Sequence, residues 1–138
     1  MDNKFIKYFL FYAFITLCIN TQVSGKKTDL NSFLKGLEGI EDSIIADSLL
    51  KKGKAYYFEN NFSDSKIYLN KAIKLYSEKN NQLGLIKAKS VVGHGFLKQG
   101  VYDSALTKYI EVLKLSKKID NKTEIARALN SLGRHSAY

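Results

Sequence analysis

From Asp42 onward, apolar residues recur every three or four positions, the spacing of a helix with one buried side. Ile45, Leu49 and Tyr56 mark a helix expected over Asp42 to Glu59. Ile67, Leu69, Ala72, Ile73 and Tyr76 mark a second over Ser63 to Lys79. The pattern returns over Leu83 to Gln99 and over Tyr102 to Ile119. A fifth helix is expected from near Thr123, with Thr123 as its cap. Polar or glycine breaks at Asn60-Asn61, Asn80-Asn81, Gly100 and Asp120-Asn121 separate these stretches. Residues 28–40 carry Leu30, Phe33, Leu34 and Leu37 at helical spacing. They predict a short leading helix, weakened by Gly36 and Gly39.

The helical stretches repeat. Gly53, Gly93 and Gly133 lie 40 residues apart, and their surroundings keep the same phase. Tyr56 pairs with Phe96, Phe62 with Tyr102, Ser65 with Ala105 and Leu69 with Tyr109. Ala72-Ile73 pairs with Val112-Leu113, Leu75 with Leu115, Ala88 with Ala128 and Val92 with Leu132. Each unit reads as two helices, giving repeats over 42–81 and 82–121 and a partial one over 122–138. One such unit cannot bury its apolar face alone, so neighbours stack. The expected fold is all-α, an α-α superhelix of about two and a half stacked antiparallel helix pairs. Small residues (Gly53, Gly93, Ser65, Ala105, Ala72) are expected where helices cross closely. Tyr56, Tyr102 and Tyr109 are expected to fill core or half-buried space between them.

The run Gly93-x-x-Phe96, then Gly100-x-Tyr102-x-x-Ala105-x-x-x-Tyr109-x-x-Val112, resembles a tetratricopeptide repeat. The copy from Gly53 through Phe62, Ser65, Leu69 and Ala72 resembles it less closely, and the third supplies Leu132-Gly133. The resemblance covers roughly residues 45–138. It departs from the family in its longer period and in having no closing proline. It implies a concave groove lined by the first helix of each repeat, which receives a partner's peptide or helix. Carried over by phase, the groove positions are Asp47, Leu50, Lys54, Tyr57 and Phe58, then Lys87, Ser90, His94, Leu97 and Lys98. The third set is Arg127, Asn130, Arg134, Ala137 and Tyr138. Six of these are basic or histidine and one is acidic, so the implied groove is electropositive. The partner-binding candidates are Lys54, Tyr57, Phe58, Lys87, His94, Leu97, Lys98, Arg127 and Arg134. Leu50 adds an apolar anchor.

Composition narrows the classes. The chain has 138 residues, 22 Lys plus Arg against 13 Asp plus Glu, two His, one Cys and no Pro. Its basic residues are mixed with acidic ones rather than blocked, so nucleic acid is not an expected partner. Cys18 excludes an intrachain disulfide and any multi-cysteine metal site. No nucleophile, zinc or phosphate-loop motif is present, and Gly93-His94-Gly95 falls inside a helix. An enzyme, a metal site and a cofactor are therefore not expected. Residues 1–25 read as a signal peptide: Lys4 and Lys7, an uncharged run over Tyr8 to Ile19, then Val23-Ser24-Gly25. Residues 26–41 form a leading segment.

The reading is an exported, periplasmic or extracytoplasmic protein-binding scaffold with a protein or peptide partner of acidic character. The alternative that the resemblance implies is the N-terminal input region of a membrane-bound bacterial signalling protein, such as a histidine kinase or a DNA-binding regulator. Membrane contact would come from an uncleaved signal or a further segment, and the open last repeat invites self-association.

Overall fold

A computed structural model describes residues 29–134. The signal-peptide expectation and residues His135, Ala137 and Tyr138 lie outside the described residues. These fall into two compact units divided between Gly39 and Ile40. The first contains helix α1 over residues 29–35, which gives way to a turn at Gly36. The second holds α2 (Asp42–Phe58), α3 (Phe62–Glu78), α4 (Gln82–Lys98), α5 (Tyr102–Lys118) and α6 (Lys122–Gly133). Among the described residues the architecture is all-helical. Consecutive helices pack on one another, as in a helical-repeat superhelix.

Helices α2 to α6 begin 20 residues apart, because one joint is used four times. Its central residue is Asn60, Asn80, Gly100 or Asp120, each with a positive φ between 49° and 73°. Asn, Asp and Gly tolerate that left-handed conformation best. The next residue folds back over the finished helix: Asn61, Asn81, Val101 and Asn121 donate their N–H to the carbonyls of Tyr56, Tyr76, Phe96 and Ser116. This is a Schellman closure. The same residue then starts the following helix. Asn61, Asn81 and Asn121 accept the N–H of Asp64, Gly84 and Glu124 at 3.3, 2.8 and 3.1 Å. Asn121, not Thr123, therefore caps α6, and Thr123 lies within its first turn. Val101 has no side-chain oxygen and makes no such bond.

Each helix pair is closed by a small residue facing a large one. A Cβ on Gly53 would lie 2.8 Å from the Leu69 side chain, and one on Gly93 would lie 2.9 Å from the Tyr109 ring. Ser65 Oγ donates to the Gly53 carbonyl at 2.8 Å, and Ala105 takes its place, fully buried, in the second pair. Between the pairs, the Tyr76 ring covers Gly84, and its hydroxyl donates to Asp47 Oδ1 at 2.5 Å. At the next junction Ser116 stands in the phase of Tyr76 and Glu124 in that of Gly84, so the sizes are exchanged. Ile86, Val112 and Ala128 form a buried cluster that joins α4, α5 and α6. Lys89 and Lys108 both bond Glu111, at 2.5 and 2.7 Å. Burial pushes the Glu111 carboxyl up, but the two lysine hydrogen bonds outweigh it and hold it below the usual range.

The tyrosine expectation needs one correction. Tyr109 is buried and Tyr56 half-buried against the Tyr68 ring, but Tyr102 is 63% exposed. Its counterpart Phe62 packs near Gly95 of α4. The position in phase with Gly95 is residue 135, outside the described residues.

Two outcomes are expected in urea melts. Gly93→Ala should cost about 1–3 kcal/mol, because the Tyr109 ring has to move. Gly133→Ala, with nothing within 4 Å of the added Cβ, should be neutral or gain up to about 1 kcal/mol. Equal effects would refute the close crossing at Gly93. Val101→Asn should raise stability by about 1 kcal/mol by supplying the missing cap. No gain would mean that the fourth joint differs from the others.

Candidate binding cleft

The first helices of the pairs, α2, α4 and α6, share one face of the stack. Because they repeat every 40 residues, positions in one phase fall in rows across them. Lys54, His94 and Arg134 make one row; Asp47, Lys87 and Arg127 make another. A cleft of about 340 Å³ lies along these rows. Lys54 comes from α2, and Lys87, Ser90, Val91 and His94 come from α4. Tyr109 and Val112 of α5 also line it. Glu124, Arg127, Ala128, Asn130 and Ser131 come from α6, and Arg134 caps its C-terminal end.

Five of the nine residues expected at a partner site therefore line the cleft: Lys54, Lys87, His94, Arg127 and Arg134. Tyr57, Phe58, Leu97 and Lys98 lie outside that lining. Lys98 Nζ stands 4.6 Å from the centre of the Tyr57 ring and donates to Asn60 Oδ1 at 3.4 Å. Tyr57 in turn packs edge-on against Phe58 and Phe62, with ring centres 5.3 and 6.1 Å away. Phe58 is 72% exposed and Leu97 half-buried. Leu50, an expected apolar anchor, is buried in the core, because it lies on the side of α2 that faces inward. The sequence reading missed Val91, Glu124, Ala128, Ser131 and the α5 residues Tyr109 and Val112. The last two belong to a second helix of a pair, which phase alone keeps away from the groove.

The charges are one-sided. Glu124 is the acidic residue of the lining, and Arg127 Nη1 donates to its Oε1 at 2.8 Å. Asp47, in phase with Lys87, accepts the Tyr76 hydroxyl. Among the described residues Lys54, Lys87 and Arg134 form no ion pair. His94 Nδ1 lies 2.7 Å from the Ser90 carbonyl. A carbonyl only accepts, so Nδ1 carries the hydrogen and Nε2 is the acceptor of the neutral ring. The imidazole meets the Tyr109 ring edge-on at 5.4 Å. Burial pushes the Tyr109 hydroxyl up to about 12; Tyr57 adds to the rise and Arg134 opposes it.

A smaller hollow of about 210 Å³ lies between α3 and α4, walled by Phe62, Leu69, Val92 and Phe96 beside Gly95. Among the described residues no group of His, Cys, Asp or Glu could hold a metal ion, and no helix is long and apolar enough to cross a membrane. Comparison with family models, curated proteins and solved structures finds no match to this chain.

Raising the Tyr109 pKa in the folded state has a signed consequence. The associated stability is complete below the unfolded value near 10.0 and is lost as pH rises through about 12. Tyr76 acts in the same direction through burial and then its bond to Asp47. Denaturant melts from pH 9 to pH 12 should show stability falling, and falling less in Tyr109→Phe. A slope unchanged by that substitution would refute the buried phenol.

Proposed function

We propose that the chain is a non-catalytic interaction module of the tetratricopeptide kind, exported from the cytoplasm, which receives a segment of a partner protein in the cleft. One observation carries the reading: side chains from three successive first helices converge on one cleft, where Arg127 pairs with Glu124 and, among the described residues, Lys54, Lys87 and Arg134 form no ion pair. A rigid stack of helices holds such a surface in place before binding, which lowers the ordering cost of association. The repeated Gly93-to-Val112 pattern supports the family resemblance, and the N-terminal sequence pattern supports export. The lining contains no nucleophile and base in hydrogen-bond reach, so it supports recognition rather than chemistry.

The cations to test are Lys87 and Arg134. Lys98 rests on Tyr57 and Arg127 on Glu124, so reversing either of those would disturb contacts within the chain. A photoreactive residue at position 131, in the cleft, should give a defined cross-linked partner in cells. The same residue at position 74, on α3, should not. Lys87→Glu with Arg134→Glu should remove the cross-link while leaving the melting temperature nearly unchanged. A cross-link indifferent to both reversals would overturn the assignment of the cleft.

A further inference from the structure

We propose that one edge of the helix stack, made by the α2–α3 and α4–α5 joints, docks on an anionic lipid bilayer, with Phe58, Val101 and Tyr102 entering the headgroup layer. None of these three lines the cleft, and the docking does not depend on a peptide partner.

Short joints between antiparallel helices fall alternately at the two edges of a stack. The joints at Asn60 and Gly100 share one edge. Lys98, at the end of α4, lies 4.6 Å from the centre of the Tyr57 ring and donates to Asn60 Oδ1 at 3.4 Å. The joints at Asn80 and Asp120 belong to the other edge, where Lys79 meets Asp42 at the start of α2 at 2.8 Å. The first edge carries apolar tips: Phe58 is 72% exposed, Tyr102 63% and Val101 43%. The joints of the second are Lys79-Asn80-Asn81 and Ile119-Asp120-Asn121, with Ile119 half-buried. Its exposed apolar residues stand on the helices instead, Leu83 at 38% and Ile44 at 53%.

Val101 points to a use for the first edge. Three joints place Asn where one residue closes a helix and caps the next. Val101 gives up that cap and sets an aliphatic side chain in water. Neither choice favours folding, and departures from a local rule concentrate where a surface serves something besides the fold. Tyr102 and Phe58 add rings beside it. A phenol with an apolar body and a polar tip suits the boundary between lipid and water.

Area and charge select the occupant. An aromatic side chain carries about 150–250 Å² of surface, so these three tips expose roughly 300 Å², against about 800 Å² that each partner gives to a stable protein interface. A second copy of the chain would gain too little from this edge, whereas a bilayer accepts a few inserted side chains without matching them in shape. Lys54 lies one turn behind Phe58 and Lys66 one turn behind Phe62, and their long stems allow ammonium groups to stay at phosphate depth. Glu59 and Asp103 adjoin the tips, so attraction to anionic lipid comes from the whole chain, with 22 basic residues against 13 acidic. Among the described residues no helix is long and apolar enough to cross a membrane, so the contact is with its surface.

The chain has no tryptophan, so one introduced indole reports its own surroundings. The uncharged run over Tyr8 to Ile19 carries its own affinity for lipid, so the test reads local immersion in the full chain rather than total binding. The probe is vesicles of phosphatidylcholine and phosphatidylglycerol with brominated acyl chains. Emission from Phe58→Trp should shift to the blue and be quenched, and emission from Leu83→Trp should not. Adding Val101→Asn to the first reporter should cut its quenching by about half or more while raising the melting temperature, because the lost apolar tip and the gained cap act on different properties. Adding Ile44→Ser, which removes a comparably exposed apolar residue from the other edge, should leave the quenching unchanged. Equal quenching of the two reporters, or quenching indifferent to Val101→Asn, would overturn the docking edge. Quenching as strong in brominated phosphatidylcholine alone would overturn the anionic requirement. A blue shift of Phe58→Trp that grows with protein concentration without vesicles would overturn the proposal in favour of a second copy on this edge.

Discussion

The contact on which the rest of this molecule depends is a bare backbone pressed against a large side chain. Gly53 admits Leu69 and Gly93 admits Tyr109, both closer than any side chain on the glycine would permit. Interior packing tolerates little change of volume, so such a contact sets how near two helices approach. The approach in turn decides which face of each first helix is left over. Because the crossing recurs 40 residues on, the leftover faces of α2, α4 and α6 line up. Lys54, His94 and Arg134 come from one phase of the repeat, and the fold makes them neighbours along one cleft.

The joints share the burden in a second way. A single residue closes the outgoing helix with its backbone N–H and opens the next with its side-chain oxygen. Two helix ends, each with unsatisfied polar groups, are thereby answered within three residues. Val101 keeps the first half of this arrangement and lacks the second. Junction packing shows the same economy of volume: Tyr76 against Gly84 in one place, Ser116 and Glu124 in the matching positions of the next.

Most of this was legible in the sequence because it is periodic. The helices, the breaks at Asn60, Asn80, Gly100 and Asp120, and the glycines at the crossings all follow from spacing. The basic rows did too, since phase alone groups Lys54 with His94 and Lys87 with Arg127. What escaped depends on distances between helices. Phase counted Lys98 and Tyr57 as two groove residues, but the approach of α2 and α4 stacks one on the other. Leu50 shares its phase with Ser90 of the cleft lining, yet it lies buried in the core. Glu124 stands where the preceding repeat has glycine, so its burial and its hold on Arg127 had no precedent in the pattern.

The joint also constrains how such a chain can change length. One residue inserted in a helix turns everything after it by about 100°, which would carry each following glycine off its crossing and each following cation off its row. The connections offer little relief, since each of their residues already serves a helix end. Growth by a whole repeat disturbs none of this. A lineage of such proteins would be expected to gain and lose segments in blocks of one repeat, with single-residue insertions and deletions rare between Asp42 and Gly133.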